Sequence, residues 1–444
     1  MHSRISLFIF FLAFISQKYE CAAQYVPPYT TMVSPVKKHI DVATPLYSVQ
    51  LDTFWEVKLF THANFLVDID APFIWHDCIQ KWNTRPLSCL WPGWCISPVS
   101  CEDTQCSEVR ASYSYKNPSC PKETNSSTLP GSRNCSCPVN VMNPFTKSCS
   151  QALLNYDSLI VTTTNGRNPF NAFPIHPLNA ACAPVSSFKF FPKNVVGVMA
   201  LSTSPYAFQT YFYEAAKRIV ALCLPSNSSS PGALFYGSGP YYFSPYTNVD
   251  IRSYLSYTPL QKHPNSFGYF IGVHTIVIKQ RSIEVPKNTT TKLSTIEPYT
   301  TLRTDIYNQV VRRFLKVTKH TPLAKAISPF SLCYRTLING TRVGLRVPDI
   351  SFTLQGGNKW NISTPNSIKQ ITKKVACLAF IDGGAKTEHP IVIGTFQLED
   401  NFLVFDLEKS TFGFSSSLLR KQTTCSNFNF TILSNRNYME QYGY

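Results

Sequence analysis

Asn64-Phe65-Leu66-Val67-Asp68-Ile69-Asp70-Ala71-Pro72-Phe73-Ile74-Trp75 runs an apolar strand into a carboxylate, turns tightly, and closes a second apolar run on tryptophan. A strand that ends on an acid ahead of a sharp turn holds that acid at the edge of a core, where burial and neighbouring charge set its proton affinity.

Upstream, His2 and Arg4 precede an apolar run from Ile5 to Ile15, and Cys21-Ala22-Ala23 follows. The run is too short to span a bilayer, so residues 1–23 are expected to be a cleaved secretory signal, with the mature chain starting near Gln24. The cysteines agree with an oxidising compartment. Fifteen cysteines less Cys21 leave an even fourteen, and nine of them crowd between Cys78 and Cys149. Metal modules need close Cys or His pairs, whereas this stretch offers Cys135-x-Cys137 and a single nearby His76. A disulfide-stapled, loop-rich insertion over 78–149 is therefore expected, with no metal and no cofactor. Seven sequons, at Asn125, Asn134, Asn227, Asn288, Asn339, Asn361 and Asn429, predict surface glycans on a secreted chain.

The net charge of +16 favours polyanionic partners. Outside a cell that means an acidic polysaccharide or an acidic protein surface rather than nucleic acid. No apolar run after the leader approaches transmembrane length, so no membrane partner is expected.

Beyond the opening strand, the patterning is that of a mostly β protein. Leu46–Leu51 and Trp55–Leu59 alternate like a hairpin, and Leu159–Thr164 ends on the hairpin turn signal Asn165-Gly166. Val195–Leu201 reads as a buried strand. Ser202 or Ser204 is placed to cap a helix reaching about Val220, with Phe208, Phe212, Ala215 and Ile219 at helical spacing. Composition loosens around Tyr246–Leu260, which places a boundary between a half at 24–250 and a half at 251–444. In the second half Phe270–Ile278 reads as one strong strand. Pro298 to about Thr318 reads as the clearest helix, on Leu302, Ile306, Val310 and Phe314, and Val375–Phe414 returns to short strands.

In this order the residues resemble the pepsin-like aspartic proteases over nearly the whole mature chain. Asp68 to Trp75, Gly272-Val273, Ile391-Val392-Ile393-Gly394, Val404-Phe405-Asp406 and Phe412-Gly413-Phe414 carry the likeness. A plant branch of that family is the nearer resemblance: extracellular dermal glycoprotein, basic 7S globulin, γ-conglutin, and the xyloglucanase and xylanase inhibitors. The motifs are Ser294-Thr295-Ile296-Glu297-Pro298-Tyr299-Thr300, Gln397-Leu398-Glu399-Asp400-Asn401 and Cys425-Ser426-Asn427-Phe428-Asn429-Phe430-Thr431. The resemblance implies two β lobes around a central cleft, a disulfide-rich fold, and a bridge between Cys333 and Cys377. The other cysteine pairings stay open.

The resemblance also implies what the cleft ought to hold. Such proteases use two carboxylates sharing one proton, each in an Asp-Thr-Gly turn. Here the first turn keeps Asp68 but substitutes Ile69 and Asp70, and the second places Ser294 where the other aspartate belongs. A hydroxyl cannot take the carboxylate's part in sharing that proton, so the site is expected to be inactive. Asp70 is expected to strain the turn if positive φ is needed there. Glu297 is read as a helix-start residue, and Asp382-Gly383-Gly384 as a loop rather than a displaced dyad. Some plant relatives inhibit microbial glycoside hydrolases by inserting a basic residue between the target's carboxylates. Carried onto this chain, that role falls to Lys386 and His389 in the loop 384–390, beside a repelling Glu388, or to Lys325 after the helix. The implied partner is a microbial or plant glycoside hydrolase at the cell wall. An active aspartic endopeptidase and a seed-globulin-like storage or peptide-binding protein are the alternatives.

Overall fold

The computed structural model describes residues 31–430, apart from 43, 57–58, 78–96, 114–119, 121–134, 213–215, 247, 288, 337–344 and 346. The expected signal segment, and the sequons at Asn125, Asn134, Asn288 and Asn339, lie outside the described residues.

Among the described residues, one 19-stranded sheet dominates, joined by two four-stranded sheets. The large sheet is continuous across both halves of the chain. β1 (Thr31–His39) pairs with Gly232–Tyr236, which pairs with Ile219–Cys223. That last strand pairs antiparallel with Phe402–Asp406 from the far end of the sequence, and Phe402–Asp406 continues through Thr411–Phe414 to Ser256–His263. A disulfide between Cys223 and Cys425 fastens the same seam. So does a buried ion pair, in which Lys38 Nζ lies 2.7 Å from Glu399 Oε1.

The first expected hairpin is longer than its alternation suggested. β2 (Leu46–Glu56) is one strand, and its partner is β3 (Leu59–Asp68), which delivers Asp68 at its end. β4 (Ile74–His76) then pairs parallel with Pro169–Cys182. Inside the cysteine-rich stretch a helix, Thr104–Ser112, appears where only loop and short strands were expected. Asp103 caps it by accepting the Gln105 amide at 3.0 Å, and bridges Cys101–Cys135 and Cys106–Cys137 hold it to the sheet. Covalent anchoring explains why a helix without a strong apolar stripe is stable there.

Three other expectations need correction. Among the described residues, the segment after Val195–Ala200 is not one helix to Val220: Phe208–Phe212 is a 3-10 turn, Ala215 lies outside the described residues, Ala216 is helical, and the strand Ile219–Cys223 follows. Phe208 and Phe212 do share a face, because both rings pack on Tyr236. Ser202, however, spends its hydroxyl on the Ala71 carbonyl at 2.7 Å, and Ile219 is claimed by its ladder partner Asp406. Tertiary pairing overrides helical spacing here. The main helix begins at Thr304, not Pro298, because Thr300–Leu302 is a strand beside Phe380–Asp382. Glu297 therefore lies before a strand and not at a helix start. Finally, Phe270–Ile278 is broken at Gly272 into two strands of two sheets. A Cβ at Gly272 would come within 2.9 Å of Gln261 Nε2 and 3.2 Å of the Gln355 side chain, so glycine lets those two side chains close over the crossing.

Candidate functional site: a paired-turn cleft floor

Two turns meet at the floor between the halves, and each is built the same way. β3 runs parallel to Val195–Ala200, with Asp68 opposite Ala200, and the Leu201 amide donates to the Asp68 carbonyl at 2.9 Å. Thr291–Leu293 runs parallel to Ile391–Ile393, and the Ser294 amide donates to the Ile393 carbonyl at 3.0 Å. In the first turn Asp68 Oδ1 accepts the Asp70 amide at 2.8 Å. In the second, Ser294 Oγ accepts the Ile296 amide at 3.2 Å and the Glu297 amide at 3.0 Å. Serine thus performs the turn-closing job of the aspartate while bringing no carboxylate.

The turns touch through Thr295. Its hydroxyl donates to the Val67 carbonyl at 2.7 Å and accepts the Ile69 amide at 3.4 Å. Ile69, the residue in the matching position of the first turn, has no hydroxyl to return the contact. The cross-turn grip is therefore one-sided. Thr295 escaped sequence reasoning, which weighed only the loss at Ile69; the symmetry of the two turns was the available signal.

Asp70 does not produce the expected strain, since it is absent from the residues with positive φ. Its carboxylate is instead gathered in by the second half of the chain. Ser266 Oγ donates to Asp70 Oδ1 at 2.6 Å, and Lys292 Nζ forms an ion pair with Asp70 Oδ2. Gly268 leaves the room for it, because a Cβ there would stand 2.8 Å from Asp70 Oδ1. Lys292 was the missed functional neighbour. No local signal marks it, because a lysine alternating with the buried Thr291 and Leu293 is the pattern of any half-exposed strand.

The proton affinities follow from this layout. Asp68 is only 8% exposed; burial, and then the negative charge of Asp70, push its carboxyl above the usual range. Burial pushes Asp70 the same way, but the charge and hydrogen bond of Lys292 outweigh it and hold Asp70 below its usual value. Lys292, desolvated yet facing Asp70, is held above its own. The floor thus carries one ion pair and one carboxyl inclined to keep its proton, with a hydroxyl opposite.

The other expected site residues are placed differently. His389 is buried at 8% exposure, its ring 5.3 Å from His263 and 5.2 Å from Phe270. Burial, then the nearby Lys292, lower its proton affinity. It packs against two rings rather than protruding, and its surroundings disfavour the cation. Lys386 and Glu388 are exposed in the same loop, whose ends are tied by Arg303 N to the Pro390 carbonyl at 2.8 Å and Thr304 N to the Gly384 carbonyl at 3.3 Å. Lys325 is exposed past the short strand Leu323–Ala324. Asp382 accepts from Thr304 Oγ1 and the Gly384 amide, which makes Asp382-Gly383-Gly384 a capped loop away from the floor. Cys333 and Cys377 are bonded, facing one another across adjacent strands. Asn227 and Asn429 are exposed, whereas Asn361 is half-buried and its Oδ1 accepts from Ser351.

Comparison with known proteins places this geometry. Residues 59–238 match the family described as xylanase inhibitor N-terminal, and residues 268–416 the one described as xylanase inhibitor C-terminal. A protein described as probable aspartic proteinase GIP2, from Nicotiana benthamiana, is 33% identical over 91% of this chain and 92% of its own. Gamma conglutin 1 of Prunus dulcis is also 33% identical, over 89% of each chain. The crystal structure titled edgp superposes with a TM-score of 0.77 at 31% identity, covering 91% of this chain and 98% of that one. The mostly β, two-lobed, disulfide-linked architecture with its central cleft is therefore pepsin-like, and the chain belongs to the xylanase-inhibitor family of pepsin-fold proteins.

Proposed function

We propose that this chain is a secreted, catalytically inactive pepsin-fold protein that binds and inhibits a cell-wall-degrading glycoside hydrolase, a xyloglucan endoglucanase or a xylanase. The observation that carries the reading is the pair of turns at the floor. Ser294 closes the second turn by accepting two amides, and the charge that replaces glycine in the first is neutralised by Lys292. Peptide hydrolysis of this class needs two acids that share a proton around one water. Asp68 has no such partner at Ser294, and its nearest acid is committed to a lysine. A fold kept without its chemistry is available for binding, and the matched family descriptions name xylanase inhibition.

Several features support a life outside the cell: the leader at 1–23, the cysteine bridges and the exposed sequon Asn227. We place the lobe boundary near residue 250, where the chain enters Ser256–His263, with lobes at 24–250 and 251–444. A net charge of +16 suits an acidic hydrolase surface or an acidic wall polysaccharide as the first encounter.

The test is residual hydrolase activity after incubation with the purified secreted protein, across a panel of xyloglucanases and xylanases. Inhibition of at least one enzyme at micromolar concentration or below is expected. No inhibition across the panel overturns the reading and leaves the storage or peptide-binding role. Statine-sensitive proteolysis at acid pH would instead make it an enzyme.

A further inference from the structure

The segment Pro184-Val185-Ser186-Ser187-Phe188-Lys189-Phe190-Phe191-Pro192-Lys193-Asn194 packs two of its three phenylalanines and turns the third outward. The Phe188 and Phe191 rings sit on Trp75 at 5.3 and 5.6 Å. Phe190 is 65% exposed, and Val185, five positions earlier in the same segment, is 63% exposed. What turns Phe190 out is its backbone, at φ +68°. That left-handed conformation suits glycine or asparagine and is unfavourable for a bulky aromatic. An aromatic held there, giving up burial as well, does nothing for the core. Strain of this kind, once observed, points to a role at the surface.

The mounting is rigid. Asn143, itself buried, donates through Nδ2 to the Ser187 and Lys189 carbonyls, both at 2.9 Å. Its Oδ1 accepts the amides of Phe145 and Thr146, so one side chain ties this loop to the turn 143–148. Phe145 packs on Phe191 at 5.4 Å. That second turn carries the exposed Lys147, whose charge is felt at Asp68 and Asp70 on the cleft floor. Lys189 and Lys193 are also exposed, and no Asp or Glu occurs between Asp157 and Glu214. A carboxylate does meet the loop from β1's end of the chain: Asp41 accepts the Lys193 amide at 3.3 Å. Lys189 Nζ lies 5.2 Å from the Phe190 ring centre, yet most of the ring stays open.

We propose that Phe190, with Lys189 over its ring, the exposed Val185 and Lys193 of the same loop and Lys147 of the adjoining turn, is a preformed docking knob for the sugar-binding cleft of a glycoside hydrolase. The proposal rests on the inhibitory reading above and gives it an N-terminal contact that the expected lysines of the second half do not supply. The chemistry fits one kind of partner. A glycoside hydrolase cleft holds two catalytic carboxylates at its centre. An exposed apolar ring on a lysine-bearing, acid-poor surface matches an acidic cleft with aromatic sugar platforms, where the ring occupies a pyranose's place and the ammonium groups meet the acids. A loop already fixed in its bound shape loses little freedom on docking.

The experiment measures inhibition and direct binding of the full secreted protein against a hydrolase that the wild type inhibits, using Phe190→Gly and the double variant K189E/K193E. Glycine removes the ring and relaxes the backbone, so the melting temperature should hold or rise while affinity falls at least tenfold. The charge reversal should slow association and reduce its dependence on salt. Unchanged inhibition by Phe190→Gly would overturn the knob while leaving the inhibitory reading intact. So would a lowered melting temperature, which would make Phe190 structural, or abolition of inhibition by Lys325→Glu or Lys386→Glu with Phe190→Gly inert. A wild type that inhibits no hydrolase of the panel overturns both.

Discussion

Lys292, two residues ahead of Ser294, forms an ion pair with Asp70, two residues past Asp68. The acid that stands where the first turn would have glycine is thus neutralised by a base from the strand that feeds the second turn. Two charges from opposite turns are linked across the cleft, and neither is left partly buried alone.

Removing the base exposes that dependence. Lys292→Met leaves Asp70 half-buried with Ser266 as its remaining donor, and should cost about 1–2 kcal/mol, between the values for surface and buried pairs. The sign against pH is fixed by the directions. Asp70 is held below its usual value, so its contribution is present above the ordinary carboxylate range and is lost as pH falls through the lower folded value. Lys292 is held above its usual value, so its contribution is lost only as pH rises through that higher folded value. Urea unfolding of wild type and variant should therefore differ by a constant amount near neutrality and converge in strong acid. A difference that grows in acid would contradict the pairing.

Asp68 should behave oppositely. Burial and the Asp70 charge raise its proton affinity, so its ionised form is a liability at neutral pH. Asp68→Asn keeps an oxygen for the Asp70 amide and removes the charge. It should raise stability at pH 7 by on the order of 1 kcal/mol, with the gain fading as pH falls through the raised folded value and the wild-type carboxyl takes up its own proton. Thermal unfolding at pH 7 and at pH 4 decides it. A destabilised variant at pH 7 would show that the charge is compensated.

The strands that end on Asp68 and Ser294 were legible because alternation and motif order report directly on which residues a sheet buries. The pairings that complete the floor were not. Lys292 looks like an ordinary surface residue until the sheet places it under Asp70, a contact 222 positions away in sequence. His389 was misjudged for the same reason, since nothing local says that His263 and Phe270 cover it. The helix Thr104–Ser112 was hidden because bridges, rather than an apolar stripe, hold it. The false helix up to Val220 arose because Phe208 and Phe212 satisfy helical spacing while Ile219 belongs to the strand at the seam between the halves.

Restoring a carboxylate at the second turn should not by itself restore proteolysis. Ser294→Asp supplies the acid, but Ile69 still cannot complete the grip that Thr295 offers, and Asp70 still brings Lys292 to the floor. No statine-sensitive cleavage of an unfolded protein substrate is expected at about pH 3 to 5 from the wild type or from Ser294→Asp. The triple variant with Ile69→Thr and Asp70→Gly added should be the first to show any. Cleavage by the wild type would reverse the assignment of Ser294.

Glycan occupancy should follow exposure. Asn227 sits in a polar turn, where its Oδ1 accepts from Ser229 and Ser230 amides, and Asn429 is exposed near the end of the described chain. Asn361 lies within the strand Lys359–Ile362 with its side chain bonded to Ser351 at 2.6 Å. Peptide mass mapping after enzymatic deglycosylation should find Asn227 and Asn429 converted and Asn361 largely unmodified.

The seam itself is testable through Lys38 and Glu399. Lys38 donates to Glu399 Oε1 at 2.7 Å and to the Ser226 carbonyl at 2.9 Å, while Tyr47 OH donates to the same carboxylate at 2.8 Å. Both ion-pair side chains are under a tenth exposed. Lys38→Met leaves a buried carboxylate without its counter-charge and should cost about 3–5 kcal/mol, because desolvation is no longer offset by attraction. The pair as a whole is worth far less than either half, since two charges taken out of water nearly cancel their own attraction. Lys38→Met with Glu399→Gln should therefore recover most of the loss, giving a coupling energy of about 2 kcal/mol or more in a double-mutant cycle. Additive losses would show that the two groups act independently, and that the strand ladder and the Cys223–Cys425 bridge hold the seam without them.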